Sequence, residues 1–203
     1  MYPTFFYVYM RNIETITNNV DFKSVKGIDI CKDFYDETGK IELESVIESV
    51  YCNSLLRASS GKVDVLKKKF VRGTTDGFLR FRFKENIVEF YGIQECKRDI
   101  KRNKIAYADQ VGQALLYFIQ CSQSCKVIIL NSVNYFDYII VDENKEYIEE
   151  HKDNWINLLK EKSPSKACKD IRYVLNNIKI HTCDVPTPAE IDKILLTIYR
   201  ICV

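Results

Sequence analysis

The 203 residues, 46% hydrophobic and 29% charged, suit one domain with a sizeable buried core and exclude a disordered or low-complexity chain. A net charge of +2 names no partner by itself, and 7 Gly with 4 Pro leave no obvious linker between separate domains. No internal repeat and no glycine-rich phosphate loop is present.

In chain order, the first apolar run is Phe5 to Met10, too short to span a bilayer and suited to a strand or a docking segment. Ile41 to Leu56 has helical periodicity. Its stripe Leu43, Val46, Ile47 and Val50 is the expected core face, and Glu44 and Glu48 lie beside it in the column Ile41, Glu44, Glu48, Tyr51, Leu55. Thr75 to Phe83 alternates as a strand, with Leu79, Phe81 and Phe83 on one side and Asp76, Phe78, Arg80 and Arg82 on the other. Ile87 to Lys97 reads as a second strand, joined to the first through Lys84, Glu85 and Asn86 as a hairpin. Because strand side chains repeat every two residues, Glu95 and Lys97 share a face. The hairpin brings Asp76 toward them.

Tyr107 to Gln120 is the next helical stretch, with Val111, Leu115, Phe118 and Ile119 apolar. Gln113 and Tyr117, four apart, stand on one face of it. The apolar strands Lys126 to Leu130 and Tyr135 to Val141 follow. Beyond Asp142 the pattern turns helical: Lys145 to Lys160, then a helix opening at Pro164 and running to about Ile178. Thr187-Pro188-Ala189-Glu190 is a capping box that starts a last helix to about Tyr199. The best boundary lies near Asp142, giving 1–142 as the core and 143–203 as a helical extension packed on the same domain.

Asp76, Glu95 and Lys97 are the residue types that metal-dependent phosphodiester hydrolysis uses. Hard Mg²⁺ takes carboxylate oxygens together with water and substrate phosphate. The ion lowers the pKa of a bound water. A lysine beside it steadies the charge that develops in the transition state. Each residue alone also has an ordinary reading: Asp76-Gly77 is a turn dipeptide, and Glu95 can form a solvated pair with Lys97 or Arg98.

The ordered series resembles the PD-(D/E)XK nuclease superfamily, whose pattern is an acid at the start of one strand and E-x-K late in the next. Here these are Asp76 and Glu95-Cys96-Lys97. Gln113 with Tyr117 resembles the Q-x-x-x-Y of the RecB-type exonuclease branch. The likeness covers about Ile41 to Asn131, and Thr75 stands where the name-giving proline would be. It implies an α/β, restriction-endonuclease-like core, a mixed central sheet flanked by helices, with the C-terminal helical extension added. It implies catalytic roles for Asp76, Glu95, Lys97, Gln113 and Tyr117. It also implies a Mg²⁺ or Mn²⁺ site at Asp76 and Glu95, with Glu44 or Glu48 as a further ligand from the upstream helix.

Charge is unevenly spread. Between Arg57 and Lys104 there are 14 Lys/Arg against 6 Asp/Glu, while the remainder has 16 against 22. Lys67, Lys68, Lys69, Arg72, Arg98, Lys101 and Arg102, with Arg80, Arg82 and Lys104, are therefore the candidate phosphate contacts. The eight cysteines include no C-x-x-C, and no signal peptide opens the chain, which points to reduced thiols in a cytoplasmic or nuclear protein that is not secreted. Some RecB-type nucleases hold an iron-sulfur cluster, for which Cys31 or Cys52 with Cys168, Cys183 and Cys202 would be the donors. Cys121 and Cys125 are expected on adjacent helical turns, and His151 and His181 as surface or cap residues.

The function expected from this reading is a metal-dependent deoxyribonuclease, with nucleic acid as partner, DNA before RNA, and no membrane association. The rivals are a catalytically silent nucleic-acid-binding module, a protein-interaction domain that docks a partner or joins a larger complex, and an RNA endonuclease sharing the acid and E-x-K arrangement.

Overall fold

The computed structural model describes residues 14–15, 32–59, 62–83 and 87–202. The expected segment Phe5 to Met10, the link Lys84 to Asn86 and Cys31 lie outside the described residues.

The protein is α/β, with a mixed sheet flanked by helices. Helix α1 (Glu44–Ala58) is followed by β2 (Val63–Lys69), β3 (Thr74–Phe83) and β4 (Ile87–Cys96), all antiparallel neighbours, and β1 (Glu14–Thr15) pairs with β2 at the edge. Helix α2 (Ile105–Phe118) crosses over so that β5 (Cys125–Ser132) lies parallel to β4, and β6 (Tyr135–Ile140) returns antiparallel to β5. The sheet order is β1-β2-β3-β4-β5-β6. Helices α3 (Lys145–Glu161), α4 (Pro164–Ala167) and α5 (Pro188–Cys202) complete the chain.

Strand alternation divides the interior into two cores. Phe78, Ile93, Ile128, Leu130 and Ile139 face α2, Trp155 of α3 and Val174. Leu79, Phe81, Phe90, Val127 and Ile129 face α1 and α5. The segment after Asp142 thus supplies apolar side chains to both layers, Trp155 and Ile171 to one and Ile191, Leu195 and Ile198 to the other. The capping box at α5 forms: Thr187 donates its N–H to Glu190 Oε2 at 2.7 Å, and Glu190 N–H returns to Thr187 Oγ1 at 3.3 Å.

Several local expectations are corrected. The buried side of α1 carries Ile47, Glu48, Tyr51, Cys52 and Leu55, while Leu43 is 65% exposed. This helix is apolar around much of its circumference, so periodicity does not select a face. Its orientation is fixed by Tyr51, whose hydroxyl donates to the Ser132 carbonyl at 2.6 Å. The helix expected from Pro164 to Ile178 is α4 plus a 3₁₀ stretch, Cys168–Asn176, broken at Ile171. Close packing on α2 accompanies the break, since a Cβ on Gly112 would stand 3.1 Å from the Cys168 carbonyl oxygen. Cys121 and Cys125 do not share a helix: α2 ends at Phe118, and Cys125 opens β5. Cys168 and Cys202 belong to opposite cores with the sheet between them, which rules out the shared cluster considered for them. Both histidines are packed: His181 stacks on Tyr138 and lies 2.6 Å from Glu143, and the His151 ring lies tilted against Tyr147 with centroids 4.3 Å apart.

Candidate active site

The antiparallel register of β3 and β4 pairs Phe78 with Ile93 and Gly77 with Gln94. Continued by one residue, it puts Asp76 opposite Glu95, where Cβ atoms of cross-strand neighbours stand about 5 Å apart. Phe78 and Ile93 both face α2, so Asp76, Glu95 and Lys97 lie on that same side, at the end of the strands. The β2–β3 hairpin and the flank of α2 border this point.

Glu95 is fully buried. Its Oε1 accepts from Lys97 Nζ at 2.7 Å, and its Oε2 has no hydrogen-bond partner among the described residues. Burial, with the Asp76 charge added, pushes the Glu95 carboxyl up to about 8, against the pull of Lys97. Desolvation works against the Lys97 ammonium, but the charge and hydrogen bond of Glu95, helped by Asp76 and Glu44, outweigh it and raise its pKa. The two directions describe a proton held within the pair under a surplus of negative charge. Asp76 is turned to the same strand end, where its Oδ2 accepts the Cys96 N–H at 2.7 Å.

Glu44 approaches from the first turn of α1. Its Oε1 is 3.7 Å from Lys97 Nζ, and its Oε2 accepts the Arg98 N–H at 3.2 Å. Glu48 is buried farther along α1, on the opposite side of the sheet, where its charge helps hold the Cys96 thiol up after burial and Asp76. Of the two, Glu44 is the one that reaches Lys97. Among the described residues no group of three or more His, Cys, Asp or Glu is arranged to hold a metal ion. The carboxylates that stand together at the strand end are Asp76 and Glu95. The orphaned, fully buried Glu95 Oε2 is the observation that suits a hard cation there.

Tyr117 belongs to the same neighbourhood. Burial first, then the Glu95 charge, pushes its hydroxyl up to about 12, while a hydrogen bond with Gln113 works the other way. The ring stacks on Phe70 at 5.7 Å and abuts Gly73 of the β2–β3 turn. Gln120 also holds this turn, accepting the Arg72 N–H at 3.1 Å. Gln113 and Tyr117 thus border the acids, and Tyr117 also supports the hairpin that leads into Asp76.

The candidate phosphate-binding residues divide. Lys69 and Lys101 are exposed, and the side chains of Lys67 and Lys68 lie outside the described residues. Arg72 and Arg98 are exposed, and each gives a guanidinium N–H to a carbonyl, of Lys160 and of Ile41 respectively. Arg102 is corrected to a structural role. It donates to both oxygens of the fully buried Asp137 at 2.8 and 2.7 Å, and to the Cys183 carbonyl at 2.6 Å. Arg80 and Arg82 are committed in the same way to Asp64 at 2.6 and 2.8 Å.

Sequence reasoning missed Gln110. It is fully buried, and its Nε2 donates to the Glu95 carbonyl at 2.8 Å and to the Asn131 carbonyl at 3.0 Å. Its place three residues before Gln113 was the only signal available. No helix among the described residues is long and apolar enough to cross a membrane. Comparison with protein-family models, with curated proteins and with solved structures finds no match to this chain.

Proposed function

We propose that this protein is a metal-dependent nuclease built on a restriction-endonuclease-like core, hydrolysing phosphodiester bonds in DNA. The observation that carries the reading is the buried Glu95: one oxygen is on Lys97, the other is without a partner among the described residues, and Asp76 is its register neighbour across the strands. The order of helix, strand with Asp76, strand with Glu95, helix with Gln113 and Tyr117, then a further strand is the series on which the resemblance rests, with β2 as an additional strand before β3, and it supports the reading.

In this reading Asp76 and Glu95 hold Mg²⁺ or Mn²⁺. The ion supplies an acidified water and charge neutralisation at the phosphate. Lys97, with its amine kept charged beside Glu95, steadies negative charge on the scissile phosphate. Exposed Lys69 and Lys101 attract the polyanion without reading its sequence.

The test is cleavage of labelled single- and double-stranded DNA and matching RNA in Mg²⁺, Mn²⁺ or EDTA, wild type against Lys97→Ala. Metal-dependent cutting of DNA, lost in the variant, supports the reading; cutting of RNA alone moves the substrate. Binding that falls steeply with salt and never leads to cutting would replace it with a silent nucleic-acid-binding module. That second reading is favoured by the lack, among the described residues, of a three-residue metal group.

A further inference from the structure

The geometry points to Gln110 as the positioning residue of the Glu95-Cys96-Lys97 segment, acting through the backbone and held in its working orientation by Tyr135. The inference rests on the proposed nuclease site for its functional meaning, but its structural content stands apart from it.

Three backbone groups of the tripeptide have partners at the strand end. The Glu95 carbonyl accepts from Gln110 Nε2 at 2.8 Å. The Cys96 N–H donates to Asp76 Oδ2 at 2.7 Å. The Lys97 N–H donates to the Asn131 carbonyl at 2.9 Å, and that same carbonyl accepts the second N–H of Gln110 at 3.0 Å. One side-chain amide therefore bridges β4 and β5 where their parallel pairing runs out, and does so on both sides of Cys96. The Glu95 and Asn131 carbonyls both stand at the last parallel pair of the ladder, Cys96 with Asn131, so the Gln110 amide adds a side-chain hydrogen bond to each and braces the end of the pairing.

The amide cannot turn around. Its Oε1 accepts the hydroxyl of Tyr135, a fully buried side chain, which leaves Nε2 aimed at the two carbonyls. Tyr135 packs edge-on against Tyr107 at 5.2 Å. The Tyr107 hydroxyl donates to Asp137 Oδ2 at 2.7 Å, and Asp137 is the carboxylate that Arg102 grips. A chain of satisfied buried groups thus runs from the Asp137–Arg102 pair to the backbone of Glu95. A carboxylate that must hold a metal ion and an ammonium that must meet a phosphate, each to within a fraction of an ångström, need such support. Neither side chain of the pair reaches the Gln110 amide directly, so Gln110 acts by fixing the strand that bears them.

The test uses Gln110→Leu, which keeps volume and removes the amide, and Tyr135→Phe, which removes the hydroxyl that orients it. Amide hydrogen exchange and cleavage of labelled DNA with Mn²⁺ are measured on both and on wild type. The expected result is faster exchange at Cys96 and Lys97, with the β2–β3 ladder unchanged, and kcat lower by about 10–100-fold at unaltered KM. Tyr135→Phe should move the same amides less far and carries the test if Gln110→Leu does not fold. Unchanged protection of Cys96 and Lys97 in the folded variants would overturn the role of Gln110, whether or not the wild type cuts. So would uniform loss of protection along the chain, the mark of a merely stabilising residue. Localised loss in a protein that never cuts DNA would keep the clamp and sink the nuclease reading.

Discussion

Lys97 Nζ lies 2.7 Å from Glu95 Oε1, on the same face of β4 two residues along, and leaves Glu95 Oε2 as a buried oxygen with no partner. An ammonium holds one half of the carboxylate, and no described residue holds the other. Replacing Lys97 by Ala removes the charge that would steady the phosphate while leaving both proposed ligands in place. Cleavage should fall by at least about 100-fold. The fold should survive, because the burial that already lifts the Glu95 carboxyl to about 8 lets it take up a proton once its cation is gone. Asp76→Ala and Glu95→Ala should lose activity likewise. Near-normal cutting in any two of the three, measured beside circular dichroism, would remove the site assignment.

Glu95 also makes a prediction about stability and pH. Its carboxyl stands near 4.5 in an unfolded chain and about 8 in the fold, so the native state binds the proton that the unfolded state gives up between those values. Its contribution is complete below about pH 4.5 and is lost as pH rises through about 8. Denaturant unfolding should show stability declining by a few kcal/mol from about pH 5 to pH 9. Glu95→Gln, which cannot ionise, should flatten that decline. Asp36, Glu143 and Glu190, whose pKa values are lowered, act in the acid range instead, their contributions vanishing as pH falls. Mn²⁺ should raise the melting temperature more at pH 8 than at pH 5. Parallel pH curves for wild type and Glu95→Gln would defeat this account.

Arg102 and Lys101, adjacent in sequence, should behave oppositely on mutation. Arg102→Ala leaves Asp137, with no exposed surface, holding a charge that, among the described residues, Tyr107 O–H and the Cys183 N–H still meet. Removing one partner of such a pair costs about 3 kcal/mol or more. Lys101 is exposed, so Lys101→Ala should leave stability unchanged and lower the salt dependence of DNA binding by about one ion. Unfolding curves and a salt titration of binding separate the two. An Arg102→Ala protein as stable as wild type would return that residue to the phosphate-contact set.

What the sequence made legible follows a physical line. Alternation placed β3 and β4 and put Glu95 with Lys97, because strand geometry is local and its period is two. The Thr187 to Glu190 capping box was readable for the same reason: both partners lie within one helical turn. The facing of α1 was not, since Val46, Val50 and Leu56 compete with Ile47, Tyr51 and Leu55 for the core, and the choice falls to carbonyls of Ser132 and Tyr135 far along the chain. The commitments of Arg80 to Asp64, Arg102 to Asp137 and Gln110 to Asn131 span 16, 35 and 21 residues. No local pattern carries such pairings, so a basic stretch reads as free cations until the fold spends several of them.

Gly73 ties the hairpin to the site and can be tested by adding one carbon. Its φ is +95°, a conformation that opposes any side chain, and a Cβ there would lie 2.9 Å from the Tyr117 hydroxyl oxygen and 3.1 Å from Cε1. Gly73→Ala should cost about 1–2 kcal/mol from the backbone alone. The collision adds to that and pushes Tyr117 off its stack with Phe70. Tyr117→Phe removes the nearest atom while keeping the stack, so the alanine should be better tolerated in that background, with a coupling above about 0.5 kcal/mol in a double-mutant cycle. Asp76 begins three residues after Gly73, so the displaced turn should also lower cleavage in Gly73→Ala beyond what its loss of stability explains. Additive costs in the cycle, with normal cleavage in Gly73→Ala, would mean that Tyr117 lies beside the hairpin without holding it.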